Sequence, residues 1–271
     1  MDTWVTPNIT GGLGNRLFQV AAALGAAEKW HTPIIFITKF IWGNVHGDPT
    51  TIRRFFPDVQ MYHDDRQWYD CSGEVNHYAY EPLPETQPFH LTLVSGLHQT
   101  EKYFPSTGIQ PPWSSLVPLD IQKLLLEKYR PSSASWFLHR RLGDYKTEEN
   151  LNVELSLYYK RTLDQIPKGT HLLFFTDELE LCEDWIRQET TARELTLQIV
   201  YESDEVNCLW LMSLCKGGAI IPNSTFGWWG AYFAHQNAPS NFKAFYPDIW
   251  ANTGPPAIDV VPSWGTRVPT K

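Results

Sequence analysis

Cysteine is scarce in this chain. Cys71, Cys182, Cys208 and Cys215 are the full set, with no Cys-x-x-Cys spacing and no His pair nearby. That pattern supports neither a disulfide framework nor a Cys/His zinc site, and it points to reduced, mostly buried thiols. Long apolar runs are missing too: nothing approaches the roughly 18 residues that a membrane span needs. Met1-Asp2-Thr3-Trp4-Val5 has neither the basic nor the apolar region of a secretory signal. The expectation is a cytoplasmic or soluble protein with no signal peptide and no transmembrane anchor. Positive charge is in deficit, 22 Lys and Arg against 30 Asp and Glu, for a formal net charge of −8. A broad nucleic-acid or membrane-surface footprint needs the opposite field, so any anionic ligand must be caught by a local cluster. There is no Asp-x-Asp, no His/Asp/Glu cluster with metal-ligand spacing, no internal repeat and no low-complexity segment.

What is present is globular. At 271 residues, 42% hydrophobic and 19% charged, the chain suffices for one large domain or two ordinary ones. Its 12 Trp and 12 Tyr suit an aromatic core and also the aromatic surfaces that hold sugar rings.

A strand-like opening leads into Gly11-Gly12-Leu13-Gly14-Asn15-Arg16, then the apolar helical stretch Leu17–Ala27, then a second buried strand at Ile34–Ile37. Strand, glycine turn, helix, strand is a βαβ unit and implies a parallel sheet. Residues 42–118 are irregular, with a weak strand signal at His90–Val94. A helix is expected over Leu119–Tyr129, stopping before Pro131, and Pro131–Ser135 reads as a linker. Alternation then restarts. Strands are expected at Trp136–His139, His171–Phe175, Leu197–Val200 and Ala219–Ile221, and helices at Ser156–Gln165, Glu178–Glu189, Val206–Cys215 and Thr225–His235. The pattern predicts two doubly wound α/β domains, 1–130 and 131–271, with a cleft between them.

The densest chemistry lies in His139-Arg140-Arg141-Leu142-Gly143-Asp144-Tyr145, directly after the apolar Trp136-Phe137-Leu138. An α/β enzyme presents functional side chains at the carboxyl edge of its sheet in this way. Guanidinium there suits a phosphate or carboxylate, and an Arg/Asp salt bridge at a strand end suits the same residues. Gly11–Arg16 is not a dinucleotide fingerprint: counted from Gly12, the sixth position is Leu17, and no acidic residue stands about 20 positions on. A glycine turn opening a helix still exposes backbone N–H groups that favour an anion, and it also serves as a plain tight turn. Asp177, in Phe174-Phe175-Thr176-Asp177-Glu178, can accept from guanine or a ribose hydroxyl, or cap the helix that follows. Ile220–Gly230 repeats the strand-to-helix pattern, with Asn223, Ser224 and Thr225 placed either for phosphate or as ordinary caps.

Together these segments resemble the inverting α-1,2-fucosyltransferase family, glycosyltransferase family 11. Its usual signature GGLGNQ-[ML]-FQ is similar to Gly11–Gln19, and its HxRRGDY to His139–Tyr145. F-[ST]-D-[DE] matches Phe175–Glu178, and NSTFSWWGA matches Asn223–Ala231 with Gly227 for Ser. Gly96–Phe104 is similar to G-[YF]-x-Q-[ST]-x-K-Y-F, and Phe245–Trp250 with Ser263-Trp264 fits the C-terminal end. The resemblance implies a GT-B-like fold of two doubly wound, Rossmann-like domains facing a cleft. It implies transfer of L-fucose from GDP-β-L-fucose to a sugar hydroxyl, galactose O2 in an α-1,2 linkage, with inversion, no cofactor and no obligatory metal. The partners would be GDP-fucose and a glycan acceptor, with the donor on the C-terminal half and the acceptor on the N-terminal half.

By the same resemblance, Arg141 would hold the β-phosphate and His139 would lie against the nucleotide. Asp177 would read guanine, and Asn223, Ser224, Thr225 and Phe226 would cradle pyrophosphate and ribose. Gly14 and Asn15 would close from the other domain. Arg141 and Asp144 are the candidate catalytic pair, Asp144 chiefly as the partner that fixes the arginine. Glu149, His98 and Glu101 are further candidates for the general base.

The chain departs from the pattern in two places. Leu142 stands where the family has its second Arg, while Arg140 occupies the variable position and is expected to point away from His139 and Arg141. Arg16 replaces the common Gln and is a candidate to supply the missing charge. Competing readings are a fucosyltransferase of another linkage or acceptor, such as a 1,6-bond or a peptide hydroxyl, and a GDP-fucose-binding module with little turnover.

Overall fold

The computed structural model describes residues 2–41, 47–71, 78–236, 238 and 240–271. Of the irregular stretch 42–118, residues 42–46 and 72–77 lie outside the described residues. The chain packs as two compact units, Met1–Leu116 with Ile258–Pro262, and Val117–Ala257 with Ser263–Lys271.

The first unit contains β1 (Trp4–Pro7), α1 (Leu13–Trp30), β2 (Phe36–Ile37), α2 (Thr51–Phe55), β3 (Met61–Tyr62), β4 (Tyr69–Asp70), β5 (Leu91–Val94) and α3 (Trp113–Leu116). A parallel sheet runs β1-β5-β4, and β2 pairs in parallel with β3. An isolated parallel bridge from Val5 to Ile34 joins the two pieces. Helix α1 is built from Ala, Leu and other good helix formers, and it stops where His31 turns left-handed at φ 52°, two residues before Pro33. Its alanine face, Ala22, Ala23 and Ala26, packs on Val5 and Val94. Gly25 is demanded by close approach, because a Cβ there would lie 1.9 Å from the Tyr103 carbonyl oxygen.

The second unit contains α4 (Leu119–Tyr129), β6 (Trp136–Arg140), α5 (Ser156–Leu163), β7 (His171–Thr176), α6 (Leu179–Ala192), β8 (Thr196–Ile199), α7 (Glu205–Ser213), β9 (Gly218–Ile220), α8 (Thr225–Gln236), β10 (Lys243–Pro247) and β11 (Thr266–Val268). Its six-stranded sheet has the order β11-β10-β9-β6-β7-β8, with every pairing parallel. The chain steps outward from β6 to β8, returns to lay β9 beside β6, and steps out the other way to β11. This is double winding, and the switch point lies between the carboxyl ends of β6 and β9.

Strands buried on both faces explain the apolar runs: Phe137, Leu138, Leu172, Leu173 and Phe174 are all fully buried. Trp136 and Leu138 face the α5 and α6 side, where Tyr158, Tyr159, Leu163, Cys182 and Ile186 pack against them. Helix α8 is apolar nearly all round and is enclosed accordingly.

The expected division after Arg130 differs from the observed one. Helix α4 belongs to the second unit because Tyr129 is fully buried and its hydroxyl accepts from Tyr201 N at 3.1 Å. Pro131–Ser135 is therefore no inter-domain linker but a tight turn into β6, closed by Ser135 N donating to Ser132 O at 3.0 Å. Residues 258–262 return to the first unit, where Asp259 accepts from Tyr80 N and Lys102 Nζ. Strands β10 and β11 lie beyond the alternation read from the sequence. Among the described residues, no helix is long and apolar enough to cross a membrane.

Candidate functional site

Strand β6 delivers the chemistry to the switch point. Residues alternate along it, so Arg140 continues the row of Trp136 and Leu138 toward α5 and α6. Its guanidinium carbon sits 4.2 Å from the Trp185 ring centroid and 5.8 Å from that of Tyr159. The expectation that Arg140 turns away from its neighbours holds, but the residue is a packed cation and not an idle one.

His139 faces the other way. It is 5% exposed and packs edge-on against Phe226, with ring centroids 5.7 Å apart. Burial, with the charge of Arg141 adding to it, lowers its pKa to about 3, so the imidazole is neutral. Its backbone carbonyl accepts from the Tyr159 hydroxyl at 3.1 Å. The ring lies so close to the first turn of α8 that a Cβ on Gly227 would come 2.7 Å from Nδ1. Among the described residues, that Nδ1 has no hydrogen-bond partner.

Arg141 is held between two carboxylates. Its Nε and Nη2 donate to Asp144 Oδ1 at 3.1 and 2.7 Å, and its Nη1 lies 3.0 Å from Asp177 Oδ2. Burial works against its charge, but Asp177 and Asp144 more than offset that and raise its pKa. The guanidinium has five N–H donors and these contacts use three, which leaves two for an anion. Asp144 thus holds the arginine through two bonds to one oxygen.

Asp177 accepts at its other oxygen from Leu142 N at 2.9 Å. It does not cap α6, where Glu178 holds the N-cap position without a side-chain bond. Gly143 makes the approach possible, since a Cβ there would stand 2.3 Å from Asp177 Oδ2. Leu142, at the position of the family's second arginine, packs its side chain against the core of the sheet and adds no charge. Lys146 pairs with Glu178 at 2.6 Å beside the cluster.

From β9 the chain enters α8 through Asn223 and Ser224, 3% and 5% exposed, to the half-buried Thr225 and Phe226. The amide of Asn223 is committed to structure: Nδ2 donates to Leu151 O at 3.0 Å and Trp250 O at 2.9 Å. Its backbone carbonyl accepts from the Tyr145 hydroxyl at 3.1 Å, which ties the β6 and β9 loops together. Ser224 closes the first turn by accepting Trp228 N at its carbonyl. The first turn of α8 lies beside His139 through the Phe226 ring and Gly227, and it carries the positive end of a twelve-residue helix dipole.

His139, Arg141, Asp144 and Asp177 are thus brought together with the α8 start. Gly14 and Asn15 belong to the first unit, in the opening turn of α1. There Asn15 Oδ1 accepts from Gln99 Nε2 at 3.3 Å, and Gln19 Oε1 accepts from Thr10 N at 2.9 Å. Arg16, the candidate for the missing charge, is turned inward. It is fully buried, and its Nη1 donates to Asp48 O at 2.7 Å. Of the further base candidates, His98 and Glu101 also lie in the first unit. His98 is buried with φ 46°, and its Nε2 lies 2.6 Å from Ser95 O. Glu149 is exposed on the loop after Asp144. Sequence reasoning missed the supports: Tyr145, Trp185 under Arg140, and Tyr158, whose buried hydroxyl lies 2.5 and 2.6 Å from the carbonyls of Ile221 and Phe245.

Comparison with known proteins agrees with this architecture. The family described as glycosyl transferase family 11 matches residues 120–240, a stretch inside the second unit. No curated protein matches the chain. The structure of NodZ alpha-1,6-fucosyltransferase co-crystallized with GDP is similar at TM-score 0.53 and 14% identity, covering 88% of this chain and 93% of that one. Fucosyltransferase NodZ from Bradyrhizobium gives 0.53 and 14%, with 88% and 94% covered. NodZ soaked with GDP-fucose gives 0.50 and 13%, with 85% and 92% covered. At such identity the likeness is one of fold. Residues 120–240 therefore carry the sequence pattern of glycosyl transferase family 11, within a chain whose GT-B-like α/β fold is that of the NodZ fucosyltransferases.

Proposed function

We propose that the protein transfers L-fucose from GDP-β-L-fucose to a sugar hydroxyl with inversion, galactose O2 being the acceptor atom. The observation that carries this reading is the convergence of Arg141, His139 and the α8 amides at the switch point of the six-stranded sheet. The second unit holds the donor and the first presents the acceptor.

In the reaction the acceptor oxygen bonds to the anomeric carbon from the face opposite GDP. The carbon–oxygen bond to the β-phosphate breaks, and its electron pair leaves with the diphosphate. The acceptor proton passes to a base. Charge builds on the leaving phosphate, so preorganised positive groups there lower the barrier most. Arg141 offers two further N–H donors, and the start of α8 adds backbone amides. His139, being neutral, can lie against the nucleotide without adding charge. Asp177 is the candidate for guanine, which would have to draw it from Arg141 or Leu142 N. No metal is needed in this scheme.

The test is release of GDP from GDP-fucose with a panel of β-galactosides, with the product linkage read by NMR. Arg141→Ala is expected to lose about 100- to 1,000-fold, while Arg140→Ala keeps turnover. Equal loss in both variants would sink the assignment. The packing of Leu142 into the core gives a second reading some support, a GDP-fucose-binding module with little turnover. Tight GDP binding without release on any acceptor would establish that instead, and a product with a 1,6-bond would move the linkage.

A further inference from the structure

The first unit has a recess at the amino ends of its β1-β5-β4 sheet. Asp2, Thr3, Gln67, Tyr69, Phe89 and His90 are among the residues that line a depression of about 1030 Å³. These residues precede or begin β1, β4 and β5, which run parallel, so the depression lies at their amino ends. The Gly11–Asn15 turn follows the carboxyl end of β1, on the far side of the same sheet.

Two aromatic rings dominate it. Tyr69 and Phe89 are 45% and 40% exposed, and their rings stack at 5.0 Å with an interplanar angle of 27°. Exposed aromatic area of that size in a concave place is what a ligand of apolar faces and polar edges would cover. The volume is that of ligand sites, roughly 300–1,000 Å³.

Charge narrows the ligand class. Arg66 is committed to Asp64 through Nη2 at 2.7 Å and Nε at 3.0 Å, and its guanidinium lies over Trp4 at 5.0 Å. Asp2 adds a carboxylate to the rim. Two carboxylates, Asp64 and Asp2, stand against this one guanidinium. The other hydrogen-bonding groups are the amide of the exposed Gln67, the Tyr69 hydroxyl, and the Thr3 and His90 pair, whose Oγ1 and Nδ1 lie 3.3 Å apart.

We infer that this depression is a binding subsite for a neutral saccharide, with a sugar ring laid on an outer face of the Tyr69–Phe89 stack. Pyranose rings present C–H faces to aromatic surfaces and hydroxyls to the rim. The subsite does not depend on the donor chemistry of the second unit.

Saturation-transfer NMR on the full chain tests it, with lactose, N-acetyllactosamine and maltotetraose at millimolar concentration as probes. Transfer to ring protons of at least one sugar is expected. Tyr69→Ala or Phe89→Ala should weaken binding about tenfold with only a small fall in melting temperature, since each ring loses its stacking partner but not a place in the core. Arg141→Ala should leave it intact. The inference is overturned if no probe receives transfer, if neither ring substitution alters it, or if Arg141→Ala abolishes it.

Discussion

Helices α1 and α8 each begin at the carboxyl end of a parallel strand, yet their opening turns are furnished differently. At α1 the side chains turn inward: Gln19 caps Thr10, and Arg16 is fully buried on the carbonyl of Asp48. At α8 the polar groups come from elsewhere: His139 and Arg141 arrive from β6, Asp177 from β7, and the helix contributes its amides. The first turn consumes its cation for stability, while the second keeps a cation at hand with donors to spare. A helix start becomes a site when neighbouring strands bring charge to it.

The largest effect that would break this contrast is the loss of turnover in Arg141→Ala, where about 3–4 kcal/mol of transition-state stabilisation is at stake. Arg16→Leu should do the reverse. It removes the buried guanidinium's bond to the Asp48 carbonyl and should cost about 1–3 kcal/mol of unfolding free energy by denaturant titration, with GDP affinity unchanged. A GDP affinity that fell in step with stability would erase the distinction.

Gly227 sharpens it. Gly227→Ala forces a Cβ against His139 and should cost about 1–3 kcal/mol in thermal unfolding. Gly227→Ser should cost less, because its hydroxyl can give Nδ1 the partner it lacks. Equal losses would mean that the ring has moved out of reach.

Within about one unit of neutral pH, the smallest effect is that of protonation. His139 has a folded pKa of about 3, below the roughly 6.5 of an unfolded histidine. Between these values the unfolded chain takes up a proton that the folded chain refuses. Stability contributed by this group is therefore flat above about pH 6.5 and falls by up to about 1.4 kcal/mol per unit below it. GDP affinity measured from pH 7 to 8 should show no inflection from His139.

Residues 136–236 were legible because parallel strands buried on both faces read as short apolar runs, and helices must fill the gaps between them. The orientation of Arg140 followed from alternation alone. In the first unit β2, β3 and β4 are two residues each, too short to leave a period. The unit boundary was hidden because it depends on long-range contacts such as that of Tyr129 with Tyr201, which ties α4 to the second unit. Asn223 and Arg16 have the polarity of ligand-binding residues, and nothing local in the sequence distinguishes a donor aimed at a ligand from one aimed at a carbonyl.

Asn223 has a consequence of its own. One amide group serves the carbonyls of both Leu151 and Trp250, so fraying of either loop unfastens the other. The rim of the site should open as one cooperative unit, with the backbone around 151 and 250 exchanging its protons on a common clock.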